Sequence, residues 1–219
     1  MTLPIDTSPL FISLATTCAA TAATFFLGLI AARWMYRAQS SFRAWIDGIL
    51  TLPLVLPPTV VGFFLLVLLG RRSLIGHALE QIGITIVFSW PATVIAATVV
   101  AFPLMYRTTL GAFEQVNPNL LDAARTLGAS ERVVFRRVLL PLAAPGVLAG
   151  TVLAFARALG EFGATVMVFG IARKTLPVLI WYYNEFSGMS DAAPAVCVLL
   201  AVSLVVMAVY NGSGLGRQE

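Results

Sequence analysis

From residue 10 to residue 32 the chain carries no charged side chain, and that run constrains everything else. A bilayer core about 30 Å thick takes roughly 20 apolar residues per helix. Four further segments meet the same measure, at about 46–69, 84–106, 143–163 and 192–210. Of 219 residues, 59% are hydrophobic and only 11% are charged, against about 25% charged in a soluble domain. The mean hydropathy is +0.91. Too few polar side chains are present to coat a water-facing globule, which excludes a soluble enzyme, a disordered chain and a nucleic-acid binder. The expectation is an all-α polytopic membrane protein with about five spans, folded as one transmembrane domain over residues 1–219.

Arginine placement gives an orientation. With the N-terminus outside, nine bases fall inside: Arg33, Arg37, Arg43, Arg107, Arg125, Arg132, Arg136, Arg137 and Arg217. Four fall outside (Arg71, Arg72, Arg173 and Lys174), and Arg157 lies within a span. Positive charge accumulates on the cytoplasmic side, so the prediction is N-terminus out and C-terminus in. The first nine residues hold no Lys or Arg, so there is no basic start of a cleavable signal peptide, and the first apolar segment is expected to stay as a span. Cys18 and Cys197 lie far apart in apolar segments beside a single histidine, His77. Neither a metal site nor a disulfide framework is expected. In the outer stretch 169–191, the run from Leu176 to Tyr183 is apolar and aromatic but too short to span. It reads as an interfacial or re-entrant helix.

The longest polar insertion, about 107–142, falls in the cytoplasm and reads as a helix–turn–helix. Asn117 and Pro118 open a first short helix. Ala123 and Ala124 permit close packing. Gly128 suits the positive φ that ends a helix, and Ser130 can cap a second helix running to Leu140. Such a two-helix projection suits docking to a soluble partner.

The spacing within that insertion resembles the EAA loop of ABC importer permease subunits. Its places are taken by Asp122, Ala123, Ala124, Gly128, Val138, Leu140 and Pro141. The one departure is Asp122, where the family pattern has Glu. The run from Leu52 to Gly62, the triplet Gly70, Arg71, Arg72, the run Phe102 to Met105 and the run Phe155 to Thr165 extend the likeness to the permease subunits of molybdate importers. Sulfate/thiosulfate permeases share the loop and a similar arginine–glycine–glutamate segment, but the proline-rich second span is nearer the molybdate branch. The resemblance implies a type I ABC importer permease fold in the inner membrane and a homodimeric pore. It also implies a separate ATPase below and a periplasmic or lipid-anchored oxyanion-binding protein above. ATP and Mg would then belong to the ATPase, with no cofactor and no catalytic residue on this chain. The residues agree independently: a phosphate-binding loop needs glycines before a lysine, and the only lysine, Lys174, follows Arg173.

Three groups are candidates for the solute's path. Pro57 and Pro58 interrupt the second span near its middle, where freed backbone either lines a cavity or packs as a kink. Arg157 and Glu161, four apart on the fourth span, would share a face, as a pore-lining pair or a mutually neutralised structural one. Arg71, Arg72, Arg173 and Lys174 would ring the outer mouth, drawing an oxyanion or a delivery protein, or simply snorkelling to the interface. The rival class is a self-sufficient anion channel or secondary transporter, which leaves the EAA-like loop without a purpose. Tungstate and molybdate, similar tetrahedral dianions, are not separated by these residues.

Overall fold

Small side chains recur along one face of the first span, and they decide how the bundle packs. The computed structural model describes residues 7–38, 42–169 and 174–212. Helix α1 (Ser8–Arg37) buries Ser13, Thr16, Thr17, Ala20, Thr24, Gly28 and Ala32, spacings of three and four that share a face. Against it lies α5 (Trp90–Glu114), which contributes Ala97, Ala101 and Met105. A Cβ added at Gly28 would stand 2.6 Å from Met105 Cγ, so glycine sets this approach. Lipid gives apolar helices no hydrophobic reason to associate, so close packing of small residues and hydroxyl contacts must do it. Trp90 Nε1 donates to Thr16 Oγ1 at 3.0 Å. The outward face of α1 shows Phe11, Phe26 and Ile30, as a lipid-facing surface would.

Among the described residues all regular structure is helical. Four stretches are long and apolar enough to cross a membrane: Ser8–Arg37, Trp90–Glu114, Glu131–Leu159 and Met189–Ala208. The fifth is a bent pair, α2 (Arg43–Val55) and α3 (Pro58–Leu69), which meet at 111°. A straight span over 46–69 therefore does not form. Pro57 and Pro58 have no N–H to donate. Helix α2 closes with Leu56 N–H on the Leu52 carbonyl, and α3 opens with Val60 and Val61 N–H on the Pro57 carbonyl.

The third span starts at Trp90, later than residue 84. Between α4 (Leu74–Gln81) and α5 the backbone turns through left-handed conformations at Gly83 (φ 77°) and Phe88 (φ 61°). Phe88 N–H is held by the Val168 carbonyl at 2.9 Å, and Pro91 sits in the first turn of α5, where proline fits. At its C-terminal end α5 runs past residue 106 to Glu114, where its charges find partners. Arg107 pairs with Asp47 at 3.0 Å and Glu114 with Arg43 at 2.7 Å.

The fourth span begins earlier than residue 143. Helix α7 (Glu131–Val134), a π turn (Phe135–Leu139) and α8 (Leu140–Leu159) run on as one stretch. Pro141 cannot donate to the Arg137 carbonyl, and its ring would crowd that carbonyl. The π turn just upstream, closed by Leu140 N–H on the Phe135 carbonyl, absorbs the misfit. The insertion outside the long helices thus narrows from 107–142 to residues 115–130. Beyond α8 come α9 (Gly163–Phe169), α10 (Leu176–Phe186) and α11 (Met189–Gly212). Helix α10 is too short to cross. Its Trp181 ring meets Phe162 at 5.9 Å and Phe186 at 6.2 Å.

Candidate coupling loop and translocation site

Only the first half of the expected helix–turn–helix projects. Helix α6 (Pro118–Thr126) starts where Asn117 Oδ1 accepts the Asn119 N–H at 3.0 Å. It ends at Gly128, whose φ is +82°; the Ala129 N–H then closes on the Ala124 carbonyl at 3.1 Å. A Cβ at Gly128 would meet nothing within 4 Å. Backbone conformation, not space, is what requires glycine there. The second expected helix is instead the root of the fourth span. The motif is therefore split: Asp122, Ala123, Ala124 and Gly128 lie on the projection, and Val138, Leu140 and Pro141 lie on the π turn and its exit. Leu121 is buried and Ala124 packs beside it against the core, while Ala123 is exposed.

Asp122 acts as a brace. Arg125 Nη1 donates to Asp122 Oδ1 at 2.7 Å, and Arg125 Nε to Glu131 Oε1 at 2.8 Å. Glu131 also faces Arg37 at 3.8 Å, and Arg33 stacks 3.8 Å from the centre of the Phe135 ring. The inner end of α1 is thereby tied to the base of the loop. The hydrogen bonds that Arg125 donates to Glu131 and then to Asp122 push its pKa above its ordinary value. The Arg125 hydrogen bond in turn holds the Glu131 carboxyl below the usual carboxylate range. Held this way, α6 presents Leu127, 88% exposed, at its tip. The motif reading does not include this large exposed apolar side chain.

In the membrane, two helix breaks meet. Gly163, where α9 begins, lies so close to α3 that a Cβ there would stand 3.0 Å from Pro58 Cβ and 3.1 Å from the Thr59 nitrogen. One turn on, a Cβ at Gly62 would stand 2.7 Å from the Ala164 Cα. The proline break and the α8/α9 break therefore share one joint. Glu161 belongs to that joint and not to the fourth span, since α8 ends at Leu159 with Gly160 as its cap. The pairing with Arg157 forms nonetheless: Arg157 Nη1 donates to Glu161 Oε2 at 2.6 Å. Glu161 Oε1 accepts the Ala164 N–H at 2.8 Å, so one carboxylate both caps α9 and neutralises Arg157. Its side chain is 2% exposed and that of Arg157 29%. Ser13, Thr16, Thr17, Thr165 and Thr175 surround it, with a void of only about 10 Å³. Such an enclosure positions a charge and leaves no room for a passing solute in this conformation.

Two of the four cations expected at the outer mouth, Arg71 and Lys174, are engaged. Arg71 and Arg72 border an open groove between α3, α4 and residues 84–88, and Arg71 Nε lies 3.5 Å from Glu80. Lys174 Nζ sits 2.9 Å from the centre of the Tyr182 ring, and burial lowers its pKa. Arg173 lies outside the described residues. One constellation escaped the sequence reading: Asp47 on α2 accepts the Tyr106 hydroxyl at 2.7 Å and pairs with Arg107. An acidic residue inside a segment read as a span was the available signal.

The sequence family described as binding-protein-dependent transport system inner membrane component matches residues 24–213. The chain belongs to that family. Among its relatives, the molybdenum transport system permease protein ModB of Escherichia coli K12 is 43% identical over 194 residues, covering 87% of this chain and 84% of that protein. ModB of Mycobacterium tuberculosis H37Rv is 40% identical over 221 residues, 99% of this chain and 83% of that one. Among solved structures, an inward-facing MetNI methionine ABC transporter superposes with a TM-score of 0.77 at 18% identity, covering 99% of this chain and all of that one. An amino acid ABC transporter crystallised with histidines gives 0.66 at 21%, with 96% and 97% coverage. The family member thus has the type I ABC importer permease fold and is a multi-pass membrane protein.

Proposed function

We propose that this chain is the permease subunit of an ATP-driven importer for molybdate. Two copies form the pore, an oxyanion-binding protein delivers from outside, and a separate ATPase docks beneath. The identity to molybdenum permeases across nearly the whole chain carries the substrate assignment. The braced projection of α6, with Leu127 at its tip, is the surface on which the ATPase docks. The bundle also gathers its positive charge at one end. Arg37 reaches Glu131, Arg33 reaches Phe135 and Arg43 reaches Glu114, so these bases and those of the loop share a side. That supports an N-terminus outside and a C-terminus inside.

Work is divided along the fold. The joint around Pro57, Pro58, Glu161 and Gly163 fixes the outer halves of the broken helices. The Arg125, Asp122 and Glu131 cluster stiffens the loop, so that motion of the ATPase reaches the π turn and α8 instead of dissipating in a flexible connection. The test is uptake of radiolabelled molybdate into cells that lack their own molybdate importer and express this chain with its ATPase and binding protein. Uptake that requires ATP and persists in excess sulfate is the expected result. Uptake of sulfate in preference, or molybdate flux without the ATPase, would overturn the reading in favour of a sulfate permease or a self-sufficient transporter.

A further inference from the structure

Helix α2 is held differently from every span around it. None of its residues is buried; its apolar packing comes from Ile46 and Leu50, both only partly covered. What ties its inner end to α5 is ionic and polar: Arg43 to Glu114 at 2.7 Å, Asp47 to Arg107 at 3.0 Å, and the Tyr106 hydroxyl to Asp47 at 2.7 Å. Its outer end is the proline break, beyond which α3 is locked against α9 by the Gly62 and Gly163 approaches. An arm hinged at one end and latched by charge at the other can swing when the latch is contested.

Arg107 is where it can be contested. Arg107, its side chain half exposed, is also one of the residues lining an open cavity of about 690 Å³ between α5 and α8. Thr108, Gln115 and Asn117 add neutral polar groups to the wall, and among the described residues no acidic one lines it. A planar guanidinium with neutral hydrogen-bonding neighbours is the chemistry that takes a tetrahedral oxyanion. When Arg107 turns to the anion, the Asp47 carboxylate loses that counter-charge but keeps the Tyr106 hydroxyl, and its side chain is 24% exposed.

The geometry points to an inner-side site for a tetrahedral oxyanion at Arg107, whose occupancy competes with Asp47 and releases α2 from α5. This inference rests on the oxyanion-importer reading and adds to it the place where solute leaving the pore is sensed. The experiment uses the complete permease–ATPase complex, without nucleotide or binding protein, in phosphatidylcholine nanodiscs with molybdate as the probe. Wild type should bind molybdate saturably. Arg107→Gln should weaken binding by about tenfold or more, the scale of a lost charge-assisted contact, and Asp47→Asn should tighten it by about threefold or more, a competitor being removed. Spin labels at Trp34→Cys on α1 and Ile49→Cys on α2, in a background with Cys18 and Cys197 replaced by Ser, should separate on saturation with molybdate. Unchanged binding in Arg107→Gln, no tightening in Asp47→Asn, or a fixed label distance each overturns the proposal. If, in a second set of discs that contain phosphatidylglycerol, that lipid occupies the site and molybdate cannot displace it, the site is for a lipid headgroup and the proposal also fails. Normal ATP-driven uptake by a wild type that binds no molybdate inside defeats this inference alone. Absence of uptake in the presence of all partners defeats the importer reading itself.

Discussion

Replacing Glu161 should cost more than replacing Arg157, and a third variant separates the reasons. The Glu161 carboxylate serves two partners at once, the Arg157 guanidinium at 2.6 Å and the Ala164 N–H at 2.8 Å. Glu161→Ala leaves a buried N–H with no acceptor and a guanidinium with no counter-charge. Removing one partner from a buried pair costs about 3–5 kcal/mol, and the orphaned N–H is part of that total. Arg157→Ala is milder: it leaves a carboxylate 2% exposed without its counter-charge, but that carboxylate keeps its bond to Ala164. About 2–3 kcal/mol is expected. Glu161→Gln keeps an oxygen for the Ala164 N–H and loses only the charge, which places it between, at about 3 kcal/mol. Unfolding of the purified complex in nanodiscs, measured beside molybdate uptake, gives the order. Equal destabilisation by Arg157→Ala and Glu161→Ala would refute the two-partner argument. Uptake lost in Arg157→Ala with stability barely changed would make that guanidinium part of the solute path.

At Gly128 the φ of +82° and the open space around it predict a conformational penalty without a clash, about 1–2 kcal/mol for an L residue. ATPase association should therefore fall in the order Gly, Asn, Ala, Val, since Asn tolerates this region; Gly128→Val equal to Gly128→Asn would refute it. Leu127→Asp should weaken ATPase co-purification by about tenfold or more, the loss of one buried leucine, while the protein still reaches the membrane. Glu131 titrates below its usual 4.5 because of Arg125, so the brace is intact above pH 4.5 and is lost as pH falls through the lower folded value. The protection of the α6 amides, exchange being corrected for its intrinsic pH dependence, should be flat from neutral pH to about pH 5 and should fall only below 4.5. Glu131→Gln should be poorly protected at every pH.

Four membrane-length helices were legible because apolar length is a property of composition alone, the fifth being a bent pair, and the motif was legible because its spacing survives intact. Boundaries were not, and each failure has a local cause. Arg107 and Glu114 look like the end of a span until Asp47 and Arg43 neutralise them across a contact some 60 or 70 positions away in sequence. Pro141 looks like a helix start, but a π turn lets the helix pass through it. Glu161 looks like a fourth-span residue by its spacing from Arg157, yet Gly160 ends the helix first and the pair closes across the cap. Periodicity reports which face a residue occupies, and it cannot report whether the helix is still there.

The prolines at 57 and 58 show what tertiary contact adds to such a signal. Alone, they say only that a span is interrupted. Packed against Gly163, they place that interruption beside a second one and beside the carboxylate that neutralises Arg157. Both short half-helices beyond the breaks, α3 and α9, are then fixed to each other, and Phe88 N–H on the Val168 carbonyl ties the outer turn to the same unit. Under the function proposed above, movement would be left to the helices on the other side. There α2 is held by ion pairs, and α8 enters through a π turn next to the α6 projection. A rigid outer joint with an ionically held inner arm would then let a push at Leu127 open one side of the membrane without opening the other, which is the mechanical requirement of alternating access.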